Sequence, residues 1–393
     1  MSTAPAVQSI RVNNLLSFGK DTPVLDLRPL NILIGPNGSG KSNLLEIFAL
    51  LQSTNFDLPQ PVREGGGIVE WLWKGDRSKS PLGSIDVLVR PEQSNMPLHY
   101  RLAFTRVSYN MEITEELIEN EKPFGTHPNP LLYFHNQNGR AMINIREETR
   151  QLRREDIDPR QSILSQRKDP DQYPEITYLG KLFSKFAFYR DWEFGINAEA
   201  REIHAPDEQS DYLEEDTSNL GLMLNRLRLE PAVKPRLLEY LRQFYSETED
   251  IHTQIREGLV ELRLEEKGGF TTPARRLSDG TLRWLSLLSV FLNPDPPPLV
   301  CIEEPELGLH PDVIHVLAKL IKEASARMQL IITTHSSTLI EEFSDEPESV
   351  VVCEKNSGAS TLRRLSKPEL TEWLGKYTLG ELWRKGELGG NRW

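Results

Sequence analysis

Cysteine is nearly missing from this chain: Cys301 and Cys353 are the two present, too few for a disulfide framework. Each sits in an apolar run, Leu299-Val300-Cys301-Ile302 and Val350-Val351-Val352-Cys353. Both therefore read as small buried hydrophobes on strands rather than as redox or metal-binding thiols. Long apolar runs are missing as well. The longest, around Trp284 to Leu292, falls far short of the roughly 20 residues that cross a bilayer, and Met1 to Val12 lacks the charged-then-apolar order of a secretory leader. A cytoplasmic protein with no membrane association is expected. An excess of positive charge is also absent, since 46 Lys and Arg against 58 Asp and Glu leave a net charge of −12. That balance argues against a surface that binds nucleic acid everywhere, although it is compatible with a local basic face. Neither a fixed-period repeat nor a sustained heptad pattern occurs, which argues against a solenoid and against long coiled-coil arms. With 38% hydrophobic and 26% charged residues, collagen-like and wholly disordered chains are excluded. At about 150 residues per domain the length accommodates two or three domains.

What is present begins with short strands. Ile10-Arg11-Val12 and Val24-Leu25-Asp26-Leu27 read as two of them, and the continuous apolar run Asn31-Ile32-Leu33-Ile34 suits a buried parallel strand. A glycine-rich turn follows at once, then a helix from Ser42 to Leu51 with Leu44, Leu45, Ile47, Phe48 and Leu51 at helical spacing. Three more apolar strands are expected at 299–302, 330–333 and 350–353, separated by helices such as Pro311 to Arg327. There Val313, Ile314, Leu317, Leu320 and Ile321 form one stripe, and Pro311 stands where a first-turn proline is tolerated. This order predicts an α/β fold with a mostly parallel core sheet. The middle differs. Alternation around Ile85–Val89 and His99–Phe104 predicts antiparallel strands, after which 110–175 is polar and punctuated by proline. Arg146 to Lys168 mixes Arg150, Arg153, Arg154, Arg160, Arg167 and Lys168 with Glu147, Glu148, Glu155, Asp156 and Asp158. It reads as a solvated or flexible segment, or else as an arm that contacts DNA.

Four motifs carry chemistry. Gly35-Pro36-Asn37-Gly38-Ser39-Gly40-Lys41-Ser42 fits G-x-x-x-x-G-K-[ST] between the expected strand and helix. Its glycines let backbone N–H groups converge on phosphate oxygens, Lys41 reaches the β- and γ-phosphates, and Ser42 can ligate Mg²⁺; the alternative is a structural glycine turn. The strand Leu299–Ile302 delivers Glu303, Glu304 and Pro305 to its carboxyl end, where ligands collect in open α/β sheets. Glu303 would hold Mg²⁺ and Glu304 would polarise an attacking water, although acidic pairs often merely end strands. Before that strand, Leu277-Ser278-Asp279-Gly280-Thr281 stands at a helix start. A serine hydroxyl with helix N-terminal amides forms an anion site, here suited to another subunit's nucleotide, while Ser278 as a simple N-cap is the alternative. Finally, Leu330-Ile331-Ile332-Thr333-Thr334-His335-Ser336 sets His335 at a strand end, where it can donate to a γ-phosphate or serve the structure alone.

Together these residues resemble the ATP-binding-cassette ATPase superfamily, in its soluble branch of RecF, SMC and OLD-like proteins rather than the transporters. Gly35–Ser42 corresponds to Walker A, Leu277–Thr281 to a variant signature, Glu303–Glu304 to Walker B, and Thr334–Ser336 surrounds the switch histidine. The likeness covers about half the chain. With the ending Leu379-Gly380-Glu381-Leu382-Trp383 to Gly389-Gly390-Asn391-Arg392-Trp393, the whole also looks like bacterial ATPases found in anti-phage defence. The resemblance implies an ABC-type P-loop ATPase head with an antiparallel β subdomain and a mainly helical insertion. Residues 1–110 would form the N-terminal part of the head, 111–270 a partly helical, flexible insertion, 271–365 the C-terminal part and 366–393 a tail. It further implies a homodimer or higher oligomer closed around ATP, with Gly35 through Asn43 binding one nucleotide and Ser278, Asp279 and Gly280 of the other subunit meeting it. Glu304, His335 and Lys41 would be catalytic, and Ser42 and Glu303 would hold Mg²⁺. The expected role is a defence ATPase that controls a separate effector, a nuclease, because no D-x-D pair follows Val350–Glu354. The alternatives are a RecF/SMC-like DNA-repair ATPase, a slow nucleotide-gated scaffold and, least favoured, a transporter subunit. DNA binding, where present, would be weak, salt-sensitive and ATP-dependent.

Several positions depart from the family pattern. Glu303 stands where Asp is common. Asp279 replaces a small residue and implies slower turnover. Leu307-Gly308-Leu309-His310-Pro311 lacks the D-loop aspartate, leaving His310 either to cap the next helix or to communicate across a dimer. Leu16 occupies a place where some relatives carry a nucleotide-contacting Arg. Gln52, Gln60 and Gln93 are equal candidates for the Q-loop.

Overall fold

A computed structural model describes residues 5–76, 81–91, 96–123, 128–145, 148–152, 157–205, 211–256 and 259–389. Gln93, Glu147, Arg153, Arg154, Glu155, Asp156 and the terminal Gly390-Asn391-Arg392-Trp393 lie outside them. The chain forms two compact units interleaved in sequence. Ala187–Asp345 and Trp373–Arg384 make one, here the carboxylate unit. The chain up to Phe186, with Glu346–Glu372 and the segment after Arg384, makes the other, the phosphate-loop unit.

The phosphate-loop unit opens with β1 (Val7–Asn13), β2 (Leu25–Asp26) and β3 (Leu30–Ile34), followed by α1 (Lys41–Ser53), α2 (Gln60–Glu64) and α3 (Ile68–Trp71). Next come β4 (Leu82–Val89), β5 (Leu98–Val107), β6 (Asn110–Pro123), β7 (Pro130–Gln137), β8 (Arg140–Ile145) and β9 (Glu148–Leu152), then α4 (Ile163–Gln166) and α5 (Pro174–Ser184). An antiparallel sheet of eight strands runs in the order β2-β1-β4-β5-β6-β7-β8-β9. The helical content expected over 111–270 is joined by strands, and the polar stretch after 110 is sheet. The physical cause is visible in β6. Met111 and Ile113 face the core, a register shift opposite Ala103/Phe104 then changes the parity, and Glu116, Ile118 and Asn120 take the buried face. Glutamates on the other face disguise the alternation. Asn138-Gly139, both at positive φ, close the β7–β8 hairpin in the two-residue turn such a pair favours.

The core of this unit gathers side chains of α1, α5 and the sheet. Leu44, Leu45, Ile47, Phe48 and Leu51 of α1 are fully buried. The Phe183 ring lies 5.5 Å from Tyr100 and 5.4 Å from Phe186, and Phe186 meets Phe48 at 6.3 Å. Buried among them, the Glu116 carboxylate accepts from Tyr100 Oη (2.8 Å), Ser162 Oγ (2.5 Å) and the Ile163 N–H (2.9 Å), pinning β6 to the start of α4.

The carboxylate unit contains β10 (Ala187–Tyr189), α6 (Leu220–Leu229), α7 (Lys234–Phe244), β11 (Thr248–Arg256), β12 (Leu259–Glu266), β13 (Phe270–Pro273) and α8 (Asp279–Phe291). It continues with β14 (Leu299–Glu303), α9 (Ile314–Ser325), β15 (Gln329–Thr333) and α10 (Ser337–Glu341). As the apolar runs at 299–302 and 330–333 predict, β14 and β15 pair in parallel, and β10, which the sequence did not announce, joins β14 in parallel; β11, β12 and β13 form an antiparallel ribbon. Helix α8 is apolar nearly all round, and its Trp284 stacks on Phe244 at 5.5 Å. The expected helix from Pro311 begins as a 3-10 turn over Pro311–Val313 before α9, with the anticipated apolar stripe buried. Back in the phosphate-loop unit, β16 (Val350–Asn356) pairs in parallel with β3 and antiparallel with β17 (Ala359–Arg364). Helix α11 (Lys367–Leu374) follows, and α12 (Leu379–Lys385) belongs, up to Arg384, to the carboxylate unit. Cys301 and Cys353 are fully buried on β14 and β16, and burial pushes both thiols up, Cys353 to about 12, which leaves them inert.

Burial also pushes the Glu116 carboxyl above its usual range. The folded state therefore keeps this proton to higher pH than the unfolded chain. The stability that follows is complete below the ordinary carboxylate pKa of about 4.3 and declines as pH rises through the folded value. In urea unfolding, Glu116→Gln should reduce this decline, and Glu116→Ala should cost about 3 kcal/mol by stranding Ser162 and Ile163 N–H. Parent and Glu116→Gln curves of equal pH slope would refute the assignment.

Candidate nucleotide-binding site

The phosphate loop spans the gap between the end of β3 and the first turn of α1. Gly38 and Gly40 have φ of 74° and 105°, conformations that L side chains rarely adopt. A Cβ on Gly40 would lie 2.4 Å from Ser360 Oγ and 2.7 Å from Ser17 Oγ, and one on Gly35 would lie 2.3 Å from the Cys353 carbonyl oxygen. Lys41 donates from Nζ to the Gly35 (2.8 Å) and Pro36 (3.2 Å) carbonyls, so its ammonium stands over the loop. Pro36, Asn37 and Gly38 form the outer rim, Ser42 is exposed on the first turn of α1, and Ser39 is buried with a hydroxyl that has no partner among the described residues. A cradle with no space for a Cβ at Gly35 or Gly40, and with a buried hydroxyl, an ammonium and a helix N-terminus, suits a polyphosphate.

Braces distant in sequence hold this loop. Ser17 Oγ accepts from Asn43 Nδ2 and from Ser360 Oγ, each at 2.7 Å, and the Ser360 N–H donates to the Ser17 carbonyl at 2.7 Å. Sequence reading missed Ser17 and Ser360, whose pairing no local pattern announces. Leu16, beside Ser17, holds a left-handed φ of 52°. Of the Q-loop candidates, Gln52 donates to the Phe186 carbonyl (2.7 Å) and Gln60 bonds Glu64 on an exposed helical turn.

In the carboxylate unit Glu303 ends β14 and Glu304 follows with φ of 44°, a left-handed backbone at a bulky residue. The Glu304 N–H donates to the Thr333 carbonyl (3.0 Å) and approaches Thr333 Oγ1 (3.3 Å), and its Oε1 lies 3.5 Å from His335 Nε2. Glu306 organises the histidine turn. Its Oε1 accepts from the Thr334 hydroxyl and from the N–H groups of His335 and Ser336, both 3.3 Å. Burial pushes the Glu306 carboxyl up. Arg283, on α8, donates to the Trp192 carbonyl (3.1 Å) with Nη1 3.5 Å from the Glu304 carbonyl oxygen, and lies over the Trp192 and Phe194 rings. Desolvation depresses its guanidinium pKa, opposed by the charges of Glu306 and Glu304. Neither Glu306 nor Arg283 was singled out from sequence for a role; the Glu-Glu-Pro-Glu order carries the signal for the first.

Ser278 caps α8, its Oγ accepting from the Thr281 N–H at 3.1 Å. Gly280 packs so closely that a Cβ would meet the Gly308 carbonyl oxygen at 2.8 Å. Asp279 is not an isolated charge, because Arg201 donates to its Oδ1. His310 caps the turn before α9 through Nδ1, which accepts from the Asp312 N–H at 3.3 Å. Among the described residues, no group of three or more His, Cys, Asp or Glu forms an all-protein metal cage. Magnesium at a nucleotide needs only one or two protein oxygens beside phosphate, the type of donor that Ser42 and Glu303 offer.

Two substitutions test these assignments. Gly40→Ala should weaken binding of a fluorescent ATP analogue by at least about tenfold with an unchanged circular dichroism spectrum, because its Cβ must displace Ser360 and Ser17; unaltered affinity would contradict the cradle. Glu306→Ala should slow phosphate release about tenfold while ATP affinity holds, since the Thr334–Ser336 turn loses its acceptor. An unchanged rate in a folded variant would count against that role.

Residues 30–341 match the family described as "AAA domain, putative AbiEii toxin, Type IV TA system". No curated protein matches. Among solved structures, an SMC head bound to the C-winged helix domain of ScpA aligns over 93% of this chain and 99% of its own, with TM-score 0.56 and 15% identity. The Pyrococcus furiosus Smc head domain with an extended coiled coil, bound to the C-terminal domain of ScpA, aligns over 95% and 99% with TM-score 0.55 and 13% identity. The Pyrococcus yayanosii Smc head domain with a coiled coil and joint aligns over 95% and 99%, with TM-score 0.50 and 11% identity. At such identities the likeness is one of fold, the ABC-type head. With more than three quarters of its length inside the family match, the chain belongs to the AAA-domain family of putative AbiEii toxins.

Proposed function

We propose that this protein is an ATP-hydrolysing switch that closes head to head with a second copy around ATP and so controls a separate effector, of nuclease chemistry, in anti-phage defence. The observation that carries the reading is the phosphate cradle, where neither Gly35 nor Gly40 leaves space for a Cβ and Lys41 stands over the loop. Lys41 neutralises β- and γ-phosphate charge. Ser42 and Glu303 are the oxygen donors for Mg²⁺, whose chemistry when bound is to offset the negative charge that repels an incoming nucleophile. Glu304 orients the attacking water and receives its proton. His335 donates to the phosphoryl oxygens as their charge grows. Ser278 and Gly280 of the second copy close the opposite side, with Asp279 between them in sequence. Among the described residues no helix is long and apolar enough to cross a membrane, and we assign the protein to the cytoplasm. A second reading, an SMC-like ATPase of DNA maintenance, draws on the head fold and on relatives whose structures hold a ScpA domain.

The test is the mass of purified Glu304→Gln protein in Mg²⁺-ATP beside Glu304→Gln/Ser278→Arg. Hydrolysis should fall at least about a hundredfold in the first, its mass should double with ATP, and the added arginine should return it to monomer. ATP-bound monomers in both cases would overturn the composite site. Deletion separates the two readings. Lost phage resistance supports defence control, and lost survival after DNA damage with resistance intact favours maintenance.

A further inference from the structure

Arg201 belongs to no motif, yet it is the buried cation of the signature region, with 7% of its surface exposed. A guanidinium has five N–H donors and no acceptor, so burial is tolerable only where each donor is met. Here Nε lies between the Phe194 (3.1 Å) and Gly195 (2.9 Å) carbonyls. Nη1 donates to Leu277 O (2.7 Å) and also reaches Ala274 O and Arg275 O, both 3.3 Å. Nη2 donates to Phe194 O (2.9 Å) and to Asp279 Oδ1. Five of these acceptors carry only partial charge, and the carboxylate carries a full one. The bonded residues, 274, 275, 277 and 279, flank Ser278 and reach the first turn of α8.

Asp279 is the residue in this region that opposes the proposed chemistry. Its side chain is 68% exposed beside Ser278 and Gly280, where an uncompensated negative charge would repel the phosphates of an approaching nucleotide. We propose that Arg201 is the positioning residue of the signature loop: it neutralises the Asp279 carboxylate and holds it aside, so that the γ-phosphate carried by a second copy of the chain can reach Ser278 and Gly280. This rests on the ATP-closed dimer proposed above. A purely structural Arg201 would act through the carbonyls alone, and then the charge at 279 would not matter to the loss of the arginine.

Rescue distinguishes the two. In the Glu304→Gln background, Arg201→Gln should keep ATP-analogue affinity within about twofold, because the phosphate loop is elsewhere in the chain, while ATP-dependent dimerisation weakens about tenfold to a hundredfold. Adding Asp279→Asn to Arg201→Gln should restore dimerisation to within about threefold of the parent, and Asp279→Asn alone should dimerise at least as tightly as the parent. A double variant no better than Arg201→Gln, or a folded Asp279→Asn that no longer dimerises, overturns the proposal. If Arg201→Gln does not fold, Arg201→Lys takes its place. The ammonium keeps the charge, so dimerisation should stay within about threefold with no gain from Asp279→Asn; a large loss that Asp279→Asn does not recover refutes the charge role. If the Glu304→Gln parent binds ATP and stays monomeric with Arg201 intact, the dimer reading itself fails and this inference fails with it.

Discussion

Strands β3 and β15 are buried at every residue, and β14 at every residue before Glu303, so the groups that could serve a nucleotide have only the strand ends available to them. Burying such side chains contributes about 1.5–3 kcal/mol each, and a polar group within the run would forfeit that and add its own desolvation cost. The polar machinery accordingly starts where the runs stop, with Gly35 after Ile34, Glu303 after Ile302 and Thr334-His335 after Thr333. The same constraint explains the left-handed Glu304. Its side chain must leave a strand end in a set direction, at a backbone cost of about 1–3 kcal/mol, and its N–H stays bonded to Thr333 of the neighbouring strand. That bond and the proline that follows hold a geometry the residue would not choose alone.

Buried charge is met differently at each position. Glu116 is surrounded by neutral donors and is held towards its protonated form. Glu306 likewise takes neutral donors, all from the 334–336 turn, so its burial is tied to the shape of that turn. Arg283 is placed against aromatic faces and two carbonyls, where the negative charges of Glu304 and Glu306 offset part of its desolvation. Each of these groups would be costly without its partners; Glu306 holds the N–H of His335, and Arg283 approaches the Glu304 carbonyl.

The elements that sequence reading identified are those with local signals. The strand, glycine turn and helix over 31–51 follow from one apolar run, one motif and one helical stripe, and the three later strands follow from continuous apolar stretches. What escaped is non-local or masked. Ser17 and Ser360 are joined across 343 positions. Arg201 looks like any arginine in a charged segment until its acceptors are counted. Strand β6 hides behind an acidic outward face and a bulge that shifts its parity, although Asn138-Gly139 after β7 is a hairpin signal in its own right. The shielding of Asp279 was unreadable for the same reason as Arg201, since its partner comes from 78 positions earlier.

Ser278 illustrates how a structural and a functional reading can coexist at one atom. A hydroxyl accepts through two lone pairs and donates one proton. The cap uses one lone pair for the Thr281 N–H at 3.1 Å, and Thr281 Oγ1 stands 2.8 Å away. Either hydroxyl can donate across that second contact; when Thr281 does, both lone pairs of Ser278 are occupied within its own helix and its proton is left for another acceptor. The cap then orients the hydroxyl as a donor at a helix N-terminus, the arrangement that favours an anion. Serine as an N-cap and serine as an anion donor are therefore compatible at one atom, because the cap bond to the Thr281 N–H uses the hydroxyl only as an acceptor.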